Sequence, residues 1–250
     1  MFRLLKVLPL ALALVAVSFF FAGCGSNNVE ARFINAIPDA ANSPLDIDVG
    51  GTKEFSTVQF GTASPGSNYL GVPSGNVAIE GFQSGTTTPA FPSQTVSLNS
   101  GSEYTLVATG FLSGTVTILN PVDNNTEPTD GTVNFRVIEA SPSGPTAVDI
   151  YLIENPVTCS IGASGCGPSI TSLAYQSTSS YVNLPYNSNP NGQGYQMFVT
   201  PHGSLTPLFS GGQTITGGGT SLGSIRTIVL TDVSGGGAMN SQALVLADLN

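Results

Sequence analysis

The sequence predicts an all-β protein: two tandem immunoglobulin-like β-sandwich domains following a cleaved signal peptide. Three observations lead there. Short β-rich segments alternate with Gly, Pro, Asn and Ser turns through the body of the chain. From residue 31 onward no stretch of ten residues shows helical periodicity. One ordered series of motifs occurs twice. Composition agrees: charged residues make up 8% of the chain, about a third of the ordinary share. The hydrophobic share of 40% is nonetheless too high for a disordered chain. Trp is absent, and 13 Phe with seven Tyr supply the bulk of a core.

Residues 1–23 read as a targeting segment. Arg3 and Lys6 precede an apolar run from Val7 to Gly23, which no Lys or Arg follows as a stop-transfer flank. Its end, Phe21-Ala22-Gly23-Cys24, resembles the bacterial lipobox, although Phe21 stands where Leu is usual. That resemblance implies cleavage before Cys24, a diacylglycerol on its thiol and an acylated N-terminus, palmitate included. Two or more chains give stable membrane attachment, at about 0.8 kcal/mol per buried CH₂. Gly25, in place of Asp, implies the outer membrane. The alternative is an ordinary secretory leader whose Cys24 pairs with another cysteine. Residues 24–30 would form a polar tether.

The body repeats itself. Arg32, Ile34, Ala36 and Pro38 recur as Arg136, Ile138, Ala140 and Pro142, and Asp46-Ile47 recurs as Asp149-Ile150. "YLGVP" from Tyr69 matches "YVNLP" from Tyr181, "QTVSL" matches "QTITG", and "YTLVATG" from Tyr104 matches "RTIVLTD" from Arg226. The order is kept, which predicts a first repeat over 31–120, a linker over 121–131 and a second repeat over 132–250. About seven strands are expected in each, the number a small β-sandwich needs. The linker is polar and carries two prolines, so it reads as short and stiff. Its acids Asp123, Glu127 and Asp130 raise a calcium reading, but Pro128 stands where a calcium loop needs Gly and no closing Glu follows. Solvated linker acids are expected instead.

The series "ARFINAIPDA…LDIDVGG…YLGVPSG…TVSLNSGSEYTLVATG", echoed from "FRVIEASP" to "LVLADL", resembles a bacterial extracytoplasmic family known only as domain of unknown function 4397. The second copy departs from it after "YVNLP" and adds a cysteine loop. The resemblance implies tandem extracytoplasmic modules and transfers no catalytic residue.

Few groups suggest chemistry. "GTSLG", Gly219–Gly223, satisfies a hydrolase pattern, yet the only His, His202, precedes it and a strand rather than a helix follows. His202 itself lies in a Pro/Gly turn and offers no metal set, so no metal and no cofactor are expected. An enzyme would need acids such as Asp46, Asp48 and Glu80 gathered in one pocket. Cys159 and Cys166 are expected to pair as a disulfide, closing an eight-residue loop worth about 2.5 kcal/mol. A free-thiol role is the alternative. Arg32 with Asp46, and Arg136 with Asp149, are expected to form structural ion pairs across adjacent strands. Tyr69 and Tyr181 are either corner or core residues of the sandwich or binding-surface aromatics.

Acids outnumber bases 15 to six, and without Arg3 and Lys6 the net charge falls from −9 to −11. Four scattered bases exclude nucleic-acid binding. The expected protein is a lipid-anchored component of the bacterial cell envelope, on the periplasmic or surface face, structural, adhesive or scaffolding in type and without a catalytic site. Its partners would be the membrane, through the N-terminal lipid, and an envelope protein or glycan. A carbohydrate- or peptide-binding module of an envelope complex is the alternative.

Overall fold

The computed structural model describes residues 28–129, 131–157, 159–186, 194–208, 213–215, 224–233 and 242–249. Cys24, Asp130 and the glycine cluster 219–223 lie outside the described residues. The chain is all-β. Its first half holds β1 (Asn28–Ala36), β2 (Leu45–Val49), β3 (Thr52–Val58), β4 (Thr62–Ser64), β5 (Leu70–Pro73), β6 (Gly75–Gln83), β7 (Pro89–Leu98), β8 (Glu103–Gly110), β9 (Val116–Leu119) and β10 (Val122–Asp123). The second half holds β11 (Thr132–Glu139), β12 (Ala147–Glu154), β13 (Ile170–Ala174), β14 (Val182–Pro185), β15 (Tyr195–Pro201), β16 (Gln213–Ile215), β17 (Ile225–Thr231) and β18 (Gln242–Leu249). The only helical element among the described residues is a 3-10 turn at Pro38–Ala40.

The strands form four sheets. In the first half, β1 lies parallel to β8, with β5 and β4 end to end along its other side and β10 and β9 along the far side of β8. In the second half the order β14-β11-β17-β18 repeats that arrangement, again with the central pair β11 and β17 parallel. The remaining sheets also correspond: β3-β2-β6-β7 and β13-β12-β15-β16, antiparallel throughout.

Alternation along the strands explains how these sheets stack. Phe33 of β1, Ile47 of β2, Ile79 of β6 and Leu106 of β8 meet in one core. Phe135, Ile150, Val199 and Ile228 meet in a second. On the opposite face of β1, β8, β11 and β17 stand Ile34, Val107, Ile138 and Val229, which pack together with Leu246 in a third core. The layers therefore run outer sheet, inner sheet, inner sheet, outer sheet. Strands β1 and β11 alternate polar with apolar residues at first, as Glu30-Ala31-Arg32-Phe33 and Asn134-Phe135-Arg136-Val137, and turn apolar on the second face only at Ile34 and Ile138, where the third core covers them.

Three expectations need correction. Residues 28–30 belong to β1, where Asn28 faces Pro73, so the polar tether ends before Asn28. The connection between the halves is not wholly a solvated linker: Val122 and Asp123 form β10 on β8, and Asp123 is buried. Each half also has more strands than seven, because β4, β5, β10 and β13 are short pieces without a strong β pattern. Gly81 shows what close packing requires: a Cβ there would overlap the Phe91 ring.

Candidate functional site

The distinctive polar site lies between the inner sheets. Arg32 on β1 and Arg136 on β11 occupy the side-chain positions that face the third core, and both are buried. Each guanidinium is held in the same way. Arg32 Nε donates to Thr105 Oγ1 at 2.9 Å and Arg136 Nε to Thr227 Oγ1 at 3.2 Å, each threonine lying on the parallel neighbour strand. Arg32 stands 5.0 Å from the centre of the Tyr69 ring, and Arg136 stands 5.0 Å from that of Tyr181.

Each arginine finds its closest carboxylate outside its own half. Arg32 Nη2 donates to Asp248 Oδ1 on β18 at 2.5 Å. Arg136 Nη2 donates to Asp123 Oδ1 on β10. The threonines complete the ring, since Thr105 Oγ1 donates to Asp123 Oδ2 at 2.7 Å and Thr227 Oγ1 to Asp248 Oδ2 at 2.5 Å. Asp123 Oδ2 also lies 3.5 Å from Arg32. Two cations and two anions thus leave a neutral buried cluster. A cluster of this kind fixes geometry more than it adds stability, and removing one member leaves an uncompensated charge.

The symmetry is incomplete. Arg136 Nη1 donates to the Val122 carbonyl at 2.9 Å, whereas Arg32 Nη1 is buried with no acceptor among the described residues. Tyr69 donates its hydroxyl to Asp123 Oδ2 at 2.6 Å, and burial together with that carboxylate holds its phenol far above the usual range. Tyr181 instead accepts from the Asn124 backbone N–H at 3.2 Å, and burial raises its phenol too. Burial also pushes the Asp248 carboxyl above the ordinary value, with Arg32 and Thr227 opposing.

The expected ion pairs do not form. Strands β1 and β2 belong to different sheets, as do β11 and β12, so Arg32 and Asp46, and Arg136 and Asp149, face away from each other. Asp46 and Asp149 instead share another task. Each accepts the N–H of a residue with positive φ in the adjoining edge strand: Thr57 (φ 54) at 2.8 Å and Ser172 (φ 53) at 2.8 Å. Each also accepts a glycine N–H from a turn, Gly85 at 3.1 Å and Gly203 at 3.0 Å. Lys53 and Ser84 add to Asp46, and His202 Nδ1 lies 2.9 Å from Asp149 Oδ1. The Lys53 hydrogen bond is the main reason the Asp46 carboxyl lies well below the usual range. Burial would raise Asp149, but hydrogen bonds from Gly203, His202 and Ser172 hold it below its ordinary value. These carboxylates clamp a bulge in β3 and in β13.

His202 sits half exposed in its turn. Cys159 and Cys166 are joined as a disulfide, with Cα atoms 6.3 Å apart. Asp48 faces Glu80 on β6 and Lys53 on β3, while Asp46 is engaged in its clamp. Among the described residues no group of three or more His, Cys, Asp or Glu is placed to hold a metal ion. Tyr69 and Tyr181 serve the interface, half buried beneath the arginines, rather than a core or a free surface. Sequence reasoning missed Thr105, Thr227, Asp123 and Asp248. The threonines were visible as the second residue of the repeated "YTLV" and "RTIV", and the aspartates as the ends of "LNPVD" and "LVLAD".

A second buried acidic group closes the far end of the second half. Glu139 Oε1 accepts the Ser141 N–H at 2.8 Å, while the Ser141 hydroxyl donates to Asp232. Burial, with Asp232 nearby, pushes the Glu139 carboxyl up to about 8.

A groove of about 360 Å³ runs beside edge strand β13, lined by Ile170, Thr171, Leu173, Ser177, Ser180 and Val182 among others. Every lining residue is uncharged, and the groove falls inside residues 155–225, a stretch without Asp, Glu, Lys or Arg.

Residues 29–151 match the family model described as Domain of unknown function (DUF4397). The matched span begins in β1, crosses the connection between the halves and ends in β12, so it includes Arg32, Asp123 and Arg136. No curated protein matches the chain.

Proposed function

We propose that this chain is a lipid-anchored envelope protein of structural or scaffolding type, without a catalytic site, built from two tandem immunoglobulin-like β-sandwich domains that arose by duplication. The observation that carries this reading is the reciprocal exchange in which Arg32 takes Asp248 and Arg136 takes Asp123. Reciprocal contacts of this kind belong to a self-complementary, two-fold interface, here between two halves of one chain. The polar residues with the most chemical potential join the halves into one stiff four-layer body, which is what a spacer or scaffold requires. Acylation of Cys24 would hold that body at the outer membrane. Replacing Cys24 with Ser should abolish lipid labelling and move the protein to the soluble fraction. Membrane retention of C24S with no lipid label would overturn the anchor.

A second reading rests on the uncharged groove beside β13. The Thr171, Ser172, Ser177 and Ser180 hydroxyls make no hydrogen bond within the described protein, and Ile170, Leu173 and Val182 supply apolar surface between them. Such a groove suits a neutral saccharide or an uncharged extended peptide added at the sheet edge. Co-precipitation of the intact protein with neutral glycans, lost in S180R, is the expected result on this reading.

A further inference from the structure

We propose that β1 is a load-bearing strand through which force on the lipid anchor enters the molecule; this rests on the anchored reading above. The chain leaves Cys24 and reaches Asn28, the first residue of β1, within four residues, a span of at most about 14 Å. Any pull between membrane and body is therefore delivered almost directly to this strand.

A first strand at a sheet edge would peel away. Here β1 is central. It faces four residues of β5 and three of β4 on one side and six residues of β8 on the other. Inter-strand hydrogen bonds run across a strand, so a pull along its axis loads both ladders together in shear. Val29, Ala31, Phe33, Ile34, Asn35 and Ala36 are fully buried, as is Arg32, which is held by Thr105 and Asp248. Extraction would drag apolar side chains out of two cores and a cation out of its neutral cluster at once. The other terminal strand shares the charge cluster through Asp248 and the third core through Leu246, but among the described residues it lacks a second ladder. β18 has one ladder, to β17, and its residues are mostly half exposed. On its outer edge the Ala247 N–H donates to the Ser67 hydroxyl at 3.3 Å. Among the described residues the strand next to the lipid site is thus held by ladders on both sides and the last strand by a ladder on one.

The test is single-molecule pulling of the mature chain, residues 24–250, held at the exposed position 180 through S180C. One sample carries its handle at residue 24 in place of the lipid and the other at residue 250. Two ladders against one predict a rupture force roughly twofold higher through residue 24. Equal forces, or a lower force through residue 24, would overturn the proposal. Because the handle replaces the lipid, this outcome is independent of lipid labelling: a strong β1 in a chain that is never acylated would refute the anchor alone, and a weak β1 in an acylated chain would refute the load path alone.

Discussion

Arg32 donates to Asp248 across 216 residues of chain, so a side chain on the first strand is neutralised by one on the last strand described. Its counterpart Arg136 is neutralised by Asp123, only 13 residues earlier but on a strand of the other half. The same contact is made once over 216 residues and once over 13. The cluster can be complete only after β18 has been added to β17.

Removing Asp248 should therefore be costly. The variant D248A leaves Arg32 buried with Asp123 alone, 3.5 Å away and already committed to Arg136. A destabilisation of about 3–5 kcal/mol is expected, measured by urea unfolding. The double variant R32M/D248L, which removes both charges, should recover most of that loss. A double variant as unstable as D248A would show that the pair itself, and not the stranded charge, carries the energy.

The two tyrosines should respond unequally. In Y69F the Asp123 carboxylate loses a donor at 2.6 Å, and a loss of about 1.5–3 kcal/mol follows for a hydrogen bond to a charged group. In Y181F the lost partner is the Asn124 backbone N–H at an exposed position, and the loss should stay below about 1 kcal/mol. Leucine at either position also removes the ring beneath the guanidinium and should add about 0.5–2 kcal/mol to each. Thermal denaturation of the four single variants separates these effects.

The clamps of Asp46 and Asp149 hold backbone, so they should matter more than their cationic partners. D149N and D46N should each destabilise by about 1–3 kcal/mol, with faster amide exchange at Ser172 or Thr57. K53A should change stability little, because the Lys53 side chain is half exposed and its charge is screened. If K53A matched D46N, the ion pair and not the bulge would be the purpose of Asp46.

Stability should peak on the acidic side of neutrality. Asp46 and Asp149 have lowered folded values, so their contribution is present above the unfolded carboxyl range and is lost as pH falls toward the folded values. Glu139 has the opposite sign. Its folded value, about 8, lies above the unfolded one, so the folded state binds the extra proton and stability declines as pH rises from about 4.5 through 8. Melting temperature should therefore be higher near pH 5 than at pH 8.5, and E139Q should flatten the alkaline decline. A decline in E139Q as steep as in the native chain would remove Glu139 as its cause.

The strand series was legible because Val, Ile, Phe and Tyr alternate between turn residues, and the two halves because Arg32 and Arg136 head the same ordered motifs. Pairing was not legible. Strands β1 and β2 are neighbours in sequence, which made Asp46 the natural partner for Arg32, but the chain crosses from an inner to an outer sheet between them. Asp123 was marked only by the weak likeness of "LNPVD" to "LVLAD", and it lies among Asn, Pro and Thr in a stretch that looks solvated. Only its register with Glu103, set by β8, turns it inward. Strand β13 was hidden because "ITSLA" sits in a run of Ser and Gly, and the bulge at Ser172 breaks the alternation that would mark it.

The cluster between the inner sheets also changes what the covalent connection is for. Asp123 stays with the first half and Arg136 with the second; between them the Asn124 N–H reaches Tyr181 across the halves, while Asn125 donates to Tyr69 and Glu103 within the first. Once folded, a molecule cut by a protease between Asn125 and Thr129 would keep every buried charge pair. It would migrate as one particle in native conditions and separate into two fragments only when denatured. Peptide continuity in this protein serves to bring the halves together at high local concentration, and the fold then makes it redundant.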